Sequence, residues 1–303
     1  MNKSKIYPKY MLLLPLVFYV VFFLVPSTFG YGLAFTDWSA TNSKFSGLSF
    51  VGIQNLLDAL KNRAIPVALV NTLIYASVKT VFVTVLGLFF AYMLNRKIAG
   101  QKVLRTVFFL PSVFAALVVG LIFSGIFKTR GGTVNEILAV FKIHRVQWLG
   151  NRWLSILAIN VASIWSNVGY ATIISLAGMQ SVSKDYIEAA KIDGATKWQT
   201  LWRVTIPNVM PSITICTFLT LTNSFKLFDQ NLALTAGRPF IMQAGGLTVK
   251  TTEMLALNIV NSFYSTNVNS RGVGQAKAVL FFILVAAIGL VQLKSTRSKE
   301  VQQ

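Results

Sequence analysis

The amino-acid sequence predicts an all-α integral membrane protein with six transmembrane helices and a short helical segment between spans four and five. Three observations lead there. Of 303 residues, 54% are apolar and only 12% charged, whereas soluble domains carry roughly 45–50% and about 25%. Six stretches reach the roughly 20 mostly apolar residues that cross a bilayer. Basic residues gather in alternate connecting segments, the pattern that sets membrane orientation. Such hydrophobicity excludes a disordered chain. The net charge of +19 would suggest a nucleic-acid partner in a soluble protein; in a membrane protein it belongs to loops and tails.

The spans fall at about 10–35, 67–94, 107–127, 154–176, 209–228 and 273–293. Together they make a single membrane domain over 1–303, with core spans over 67–293 and an N-terminal span and outer loop over 1–66. Pro15 and Pro26 interrupt the first run, but neighbouring helices re-satisfy freed backbone groups. That run starts on Lys3, Lys5 and Lys9 as a signal peptide would, yet no small-x-small cleavage site follows, so retention is expected. Three basic residues lie in the N-terminal tail, four in 96–105, four in 184–203 and three in the C-terminal tail. The opposite side holds Lys44, Lys61, Arg63, Lys128, Arg130, Lys142, Arg145, Arg152, Arg238, Lys250 and Arg271, spread at about half that density. Both termini are therefore read as cytoplasmic. Short amphipathic helices are expected to start at 50–56 and 132–138 on the outer side.

The most informative stretch joins spans four and five. Asp185 with Glu188 reads as an N-cap pair, Gly194 as a left-handed stop, and Thr196 with Gln199 as a second capping box. Two short helices hinged at Gly194 follow, the second ending near Pro207 where the chain re-enters the membrane. Ala189 and Ala190 leave a face open to close approach, which suits insertion into a partner's groove. An ordinary interfacial loop is the plainer alternative.

The order Glu188-Ala189-Ala190, Asp193-Gly194-Ala195 and Ile206-Pro207 resembles the EAA loop of binding-protein-dependent ABC importer permeases. Phe35-Thr36-Asp37-Trp38, Phe50-Val51-Gly52, Asn71-Thr72-Leu73, Leu86-Gly87-Leu88, Phe109-Leu110-Pro111 and Phe228-Asp229 are similar to the carbohydrate, maltose-type branch. Gly237-Arg238-Pro239 departs from the Gly-Gly-Pro often found there.

The resemblance implies a permease subunit of a sugar importer, for a di- or oligosaccharide, in a bacterial or archaeal cell (inner) membrane. It implies a second related permease, two ATP-binding subunits and an extracytoplasmic sugar-binding protein as partners. It makes the EAA loop the coupling helix that docks on the ATPase, with Glu188, Ala189, Ala190, Asp193, Gly194, Ala195 and Pro207 as its residues. No Gly-x-x-x-x-Gly-Lys-Ser/Thr phosphate loop is present, so MgATP is expected in the partner subunits, with no cofactor bound and no bond in the sugar broken here.

Polar residues within spans are costly and mark pathways. Ser163, Asn167 and Tyr170 are spaced four and three apart on one helix face; Asn223 and Ser224 follow the core of the fifth span, and Ser112 opens the third. The family's contact regions implicate Tyr170, Asn167, Asn223, Ser224, Ser112 and Ser163, although such residues also serve as interhelical glue. Lys79 is read as a structural residue that snorkels, with a cavity-facing group as the other reading. Lys226 and Asp229 read as a local ion pair, Lys277 as snorkelling, and Cys216 as packing. One Cys and His144 alone exclude a Cys-built or classical zinc site.

Permeases for phosphate, amino acids or glycerol phosphate are the nearest alternatives. An anionic cargo favours Arg in the cavity, and 107–127 and 154–176 contain none, which points to a neutral solute. A secondary transporter would place acids in its spans; Asp229 alone borders one. A membrane enzyme lacks an acid–base constellation among nine scattered carboxylates.

Overall fold

The computed structural model describes residues 10–39, 47–96, 99–242, 248–264 and 270–297. Lys3, Lys5, Lys9, Lys44, Lys97 and Lys299 of the charge pattern lie outside them. The described chain is helical apart from one hairpin. Its elements are α1 (Met11–Leu33), α2 (Gln54–Lys61), α3 (Ala64–Leu94), α4 (Gln101–Val113), α5 (Ala116–Ile126), α6 (Thr133–Val140) and α7 (Arg152–Ser181). Then come α8 (Lys184–Ile192), α9 (Lys197–Phe225), α10 (Asp229–Leu234), the antiparallel strands β1 (Phe240–Met242) and β2 (Thr248–Lys250), α11 (Leu255–Phe263) and α12 (Ser270–Arg297). Among the described residues five helices are long and apolar enough to cross a membrane, and the bent pair α4–α5, counted as one span, makes a sixth.

Two spans differ from their sequence prediction. The stretch 107–127 is not one helix, because α4 and α5 meet at 94°. Pro111 has no N–H to continue the α ladder, so the chain tightens into a 3₁₀ turn at Leu110–Val113 and then runs extended through Phe114 and Ala115. In contrast, the helix expected to stop near Pro207 continues from Lys197 to Phe225. A π turn at Leu201–Thr205 precedes the proline, and Ile206 N–H bonds five residues back to Leu201 O. That widened turn spares the ring its usual clash with the preceding turn.

The chain divides into two compact units. In the unit of residues 1–62 and 259–283, residues 11–26 are exposed on every face, as suits a helix facing lipid. A small core gathers Ala34, Ala59 and Ala276 against Phe35, Leu56 and Val273. The buried Asn55 carboxamide donates to the carbonyls of Ala34 and Thr36. Gly272 touches the same place: its N–H bonds Trp38 O at 2.7 Å, and a Cβ there would overlap Asn55 Nδ2 and Thr36 O. Lys277 does not snorkel. It is buried, with its ammonium donating to Ser262 Oγ at 2.9 Å.

The unit of residues 63–258 and 284–303 is built on α3, α7 and α9. Small residues set the spacing. A Cβ on Gly87 would overlap Ala171, and one on Gly169 would overlap the carbonyl of Phe108. Ala91, Leu94, Leu176, Met179, Val182 and Val209 form a core at one end; Tyr75, Val119, Phe123, Ile159, Leu234 and Met254 form one at the other. Buried asparagines tie down the connections. Asn71 donates to the carbonyls of Thr251 and Glu253 and accepts from Arg152. Asn135 donates to three carbonyls and accepts from Val146 N–H and the Trp148 indole. Cys216 packs beside Val83 and Ala171.

Candidate functional site

A cavity of about 210 Å³ opens where α3, α7, the α4–α5 bend and the α9–α10 junction meet. The bend supplies Ser112, Phe114 and Ala116; α7 supplies Ser166 and Asn167; α9 and the residues after it supply Asn223, Lys226, Leu227 and Phe228; α10 supplies Asp229 and Gln230; α3 supplies Lys79. The broken third span therefore places its backbone turn at the cavity wall. Phe114 in turn stacks on Trp165, at 6.4 Å between ring centroids and 12° between planes.

Of the residues the sequence proposed as sugar contacts, Asn167, Asn223 and Ser112 line this cavity. Asn167 Nδ2 is held by Ser163 O at 2.8 Å and Ser166 Oγ at 2.9 Å, which leaves its Oδ1 as an acceptor. The Ser112 hydroxyl bonds back to Phe109 O. Ser163 is fully buried behind the wall, accepting from Tyr75 Oη at 2.8 Å and donating to Gln230 Oε1 at 2.7 Å. Ser224 is buried and bonds back to Thr220 O. Tyr170, 44% exposed, lies outside the cavity, about 10 Å along the helix from Ser163 at 1.5 Å per residue.

Lys79 is the central residue of α3 and only 5% exposed. It does not snorkel: at mid-helix neither end is within reach of its four-carbon stem, and the side chain turns to the cavity instead. Its ammonium lies 5.6 Å from the centre of the Tyr75 ring and has no hydrogen-bond or ion-pair partner among the described residues. Lys226 and Asp229 form no ion pair either. Helix α9 ends at Phe225 and Lys226 caps it, so the regular three-residue spacing that would join them is interrupted.

A second region lies at the other end of α9. Helix α8 has no buried residue. Ser183, rather than Asp185, caps it, accepting from Asp185 N–H at 3.2 Å. Asp185 falls in the first turn, where its charge favours the helix dipole, and Glu188 lies too far on to close a capping box. The helix ends as the sequence suggests. Gly194 has φ of +78°, Ala195 N–H reaches Ala190 O at 2.9 Å and Gly194 N–H reaches Lys191 O at 3.1 Å, a Schellman stop. Thr196 and Gln199 exchange both bonds of a capping box at the start of α9. Glu188, Ala189, Asp193 and Gly194 are exposed, Ala190 and Ala195 half-buried, and Pro207 half-buried inside α9. Ile192 is 87% exposed, and Tyr186, Trp198 and Trp202 in the same stretch are exposed as well, the two tryptophan rings meeting edge to face at 5.4 Å. A cleft of about 180 Å³, bordered by Tyr92, Met179, Ile187, Lys191 and Leu201, separates this region from the bundle.

Residues 83–294 match the family described as binding-protein-dependent transport system inner membrane component. The chain belongs to this family. It is thus a multi-pass membrane permease of an ABC transporter. It is 34% identical over 93% of its length, and 91% of the relative's, to the probable starch degradation products transport system permease protein AmyD of Thermoanaerobacterium thermosulfurigenes. It is 32% identical, over 96% and 95%, to the multiple sugar-binding transport system permease protein MsmF of Streptococcus mutans. It is 29% identical, over 95% and 93%, to the trehalose/maltose transport system permease protein MalF of Thermococcus litoralis. Its fold is shared with a chain of a bacterial alginate ABC transporter, crystallised with an alginate pentasaccharide-bound periplasmic protein, at a TM-score of 0.79, 20% identity and coverage of 95% and 93%.

The permease's cavity contains residues that sequence reasoning passed over. Gln230 carries no sequence signal, because only the turn after α9 brings it to the wall; Phe228 stands out only within the Phe228-Asp229 resemblance. Lys79 carries a signal, a charge at the centre of a span, and it takes the cavity-facing place that is the second of its two readings.

Proposed function

We propose that this permease forms half of the translocation pathway of an ATP-driven sugar importer and is driven through the region around α8. The observation that carries this reading is the continuity of α9. One unbroken helix begins at the exposed α8 turn and ends at Asn223 and Lys226 in the cavity wall. Its 29 residues span roughly 43 Å at 1.5 Å each, enough to carry a displacement at one end to the other. The relatives named for starch products, multiple sugars and trehalose or maltose support a sugar cargo.

The parts divide as follows. Two ATP-binding subunits hold MgATP, and their closure presses on Glu188, Ala189, Ala190, Asp193, Gly194 and Ala195; the cleft behind α8 gives that region room to move. Pro207, after the π turn, lies where the stroke enters the bundle. A second, related permease completes the pathway, and an extracytoplasmic binding protein delivers the sugar. The cavity here is smaller than the roughly 300–1,000 Å³ of complete ligand pockets, as one half of a shared path would be. Asn167 Oδ1, Asn223 and Ser112 bond sugar hydroxyls, with Phe114 as an apolar face. Ser163 and Ser224 support the wall from behind, and Tyr170 meets sugar further along the same helix face. Both termini and α8 lie on the cytoplasmic side.

A permease for a small anion such as glycerol phosphate is the second reading, favoured by Lys79 and Lys226 in the cavity. Uptake of labelled maltose, maltotriose and glycerol 3-phosphate into cells with and without this gene separates the two. Gene-dependent uptake of a maltosaccharide is expected, and uptake of glycerol 3-phosphate alone would overturn the sugar assignment.

A further inference from the structure

We propose that Lys79 and Gln230 form an anion subsite in the cavity wall, and that the cargo is a sugar bearing a carboxylate. This inference rests on the sugar-importer reading and narrows it. Three observations carry it. Lys79 sits at the centre of a 31-residue helix, where an ammonium is expensive to bury, yet no carboxylate lies within 4 Å of it among the described residues. Its ammonium lies 5.6 Å from the centre of the Tyr75 ring. A charge kept at that depth without a fixed counterion is set to meet a transient one.

Gln230 supplies the second donor. It is 3% exposed, and its Nε2 is buried with no hydrogen-bond partner, an arrangement that is costly unless a ligand supplies an acceptor. Its orientation is fixed from behind: Tyr75 donates to Ser163, and Ser163 donates to Gln230 Oε1. The backbone is fixed as well, since a Cβ on Gly120 would overlap Ala233 and the Gln230 carbonyl. The side chain is held by its oxygen, and its N–H₂ group is left to donate.

Charge balance points the same way. The cavity holds two ammonium groups, Lys79 and Lys226, and one carboxylate, Asp229. Asp229 and Lys226 are exposed at its mouth, whereas Lys79 and Gln230 are buried in its wall. The buried part of the site therefore presents donors and a positive charge. The acceptor Oδ1 of Asn167 and the uncommitted Asn223 amide remain for hydroxyls. A carboxylated sugar uses both sets of groups; a neutral sugar leaves the ammonium uncompensated.

The test uses the complete importer in nanodiscs and two probes that differ in one group, maltose and its C1-oxidised acid, maltobionate. Binding is measured by equilibrium dialysis at low and high ionic strength. Wild type is expected to bind maltobionate at least tenfold more tightly than maltose, with a preference that shrinks in salt. Lys79→Gln is expected to equalise the two probes, and Lys79→Arg to keep the preference, with assembly judged by gel filtration. Equal binding of both probes by wild type overturns the anion subsite and leaves the sugar reading standing. Binding of neither probe contradicts both. Loss of assembly in Lys79→Gln, restored in Lys79→Arg without any preference for the acid, would show that Lys79 pairs with the second permease and would overturn the proposal.

Discussion

At the scale of single residues, glycines and asparagines do most of the positioning. Gly194 sits at positive φ where the chain leaves α8, a conformation that costs a non-glycine residue about 1–2 kcal/mol. Gly194→Val should therefore loosen the α8–α9 turn without disturbing the bundle, lowering hydrogen-exchange protection at Ala195 while leaving that of α7 unchanged. Asn135 offers a contrasting case, since one carboxamide organises residues 128–148. Asn135→Ala strands several of those backbone groups, and each that stays dry costs about 1–3 kcal/mol. The expected result is a lower thermal midpoint in detergent, with transport per folded molecule unchanged. Tyr170→Ala bears on the pathway itself. Uptake at low sugar concentration should fall, and unchanged uptake would remove Tyr170 from the contact set.

At the scale of elements, what was legible in the sequence followed from local chemistry. The Thr196–Gln199 box and the Gly194 stop form as their residue types dictate. The short helices α2 and α6 begin at Gln54 and Thr133, close to the patterns at 50–56 and 132–138. Where local signals competed, the sequence misled. Asp185 and Ser183 both make good N-caps, and the one nearer the start of the chain prevailed. The sequence reads Pro207 as a helix end and Pro111 as part of one span, yet the span bends by 94° at Pro111 and the helix runs on through Pro207. The difference lies in the π turn before Pro207, which depends on i→i+5 bonding that no composition reveals. Its role can be tested. Inserting one alanine between Val204 and Thr205 should rotate Asn223 by about 100° away from the cavity, and sugar uptake should collapse although the protein still inserts.

At the scale of the whole molecule, the apolar excess resolves into five long helices and one bent pair. The surplus of positive charge divides among tails, loops and three intramembrane lysines that behave differently. Lys277 is satisfied by hydrogen bonding, Lys226 is exposed at a helix end, and Lys79 is buried and has no ion-pair partner among the described residues. Sequence spacing could flag all three as expensive but could not separate them, since only packing decides whether an ammonium finds a partner, water or a cavity. The same limit explains the candidate site. Asn167, Asn223 and Ser112 were recognisable as polar residues in spans, whereas Gln230 reaches the wall only through the turn that follows α9. Orientation is open to direct measurement because the natural Cys216 is buried. A cysteine replacing the exposed Ile192 should react with an impermeant maleimide only in inverted vesicles.

The central claim is that force applied around α8 moves the sugar pathway. It is tested most directly in proteoliposomes containing the complete importer and its binding protein, by measuring ATP-driven sugar uptake and ATPase activity side by side for wild type, Glu188→Ala and Gly194→Val. Both variants should insert and assemble, lose uptake, and hydrolyse ATP at a rate that no longer responds to the loaded binding protein. Wild-type uptake in either variant, with ATPase activity still stimulated by the loaded binding protein, would contradict the account.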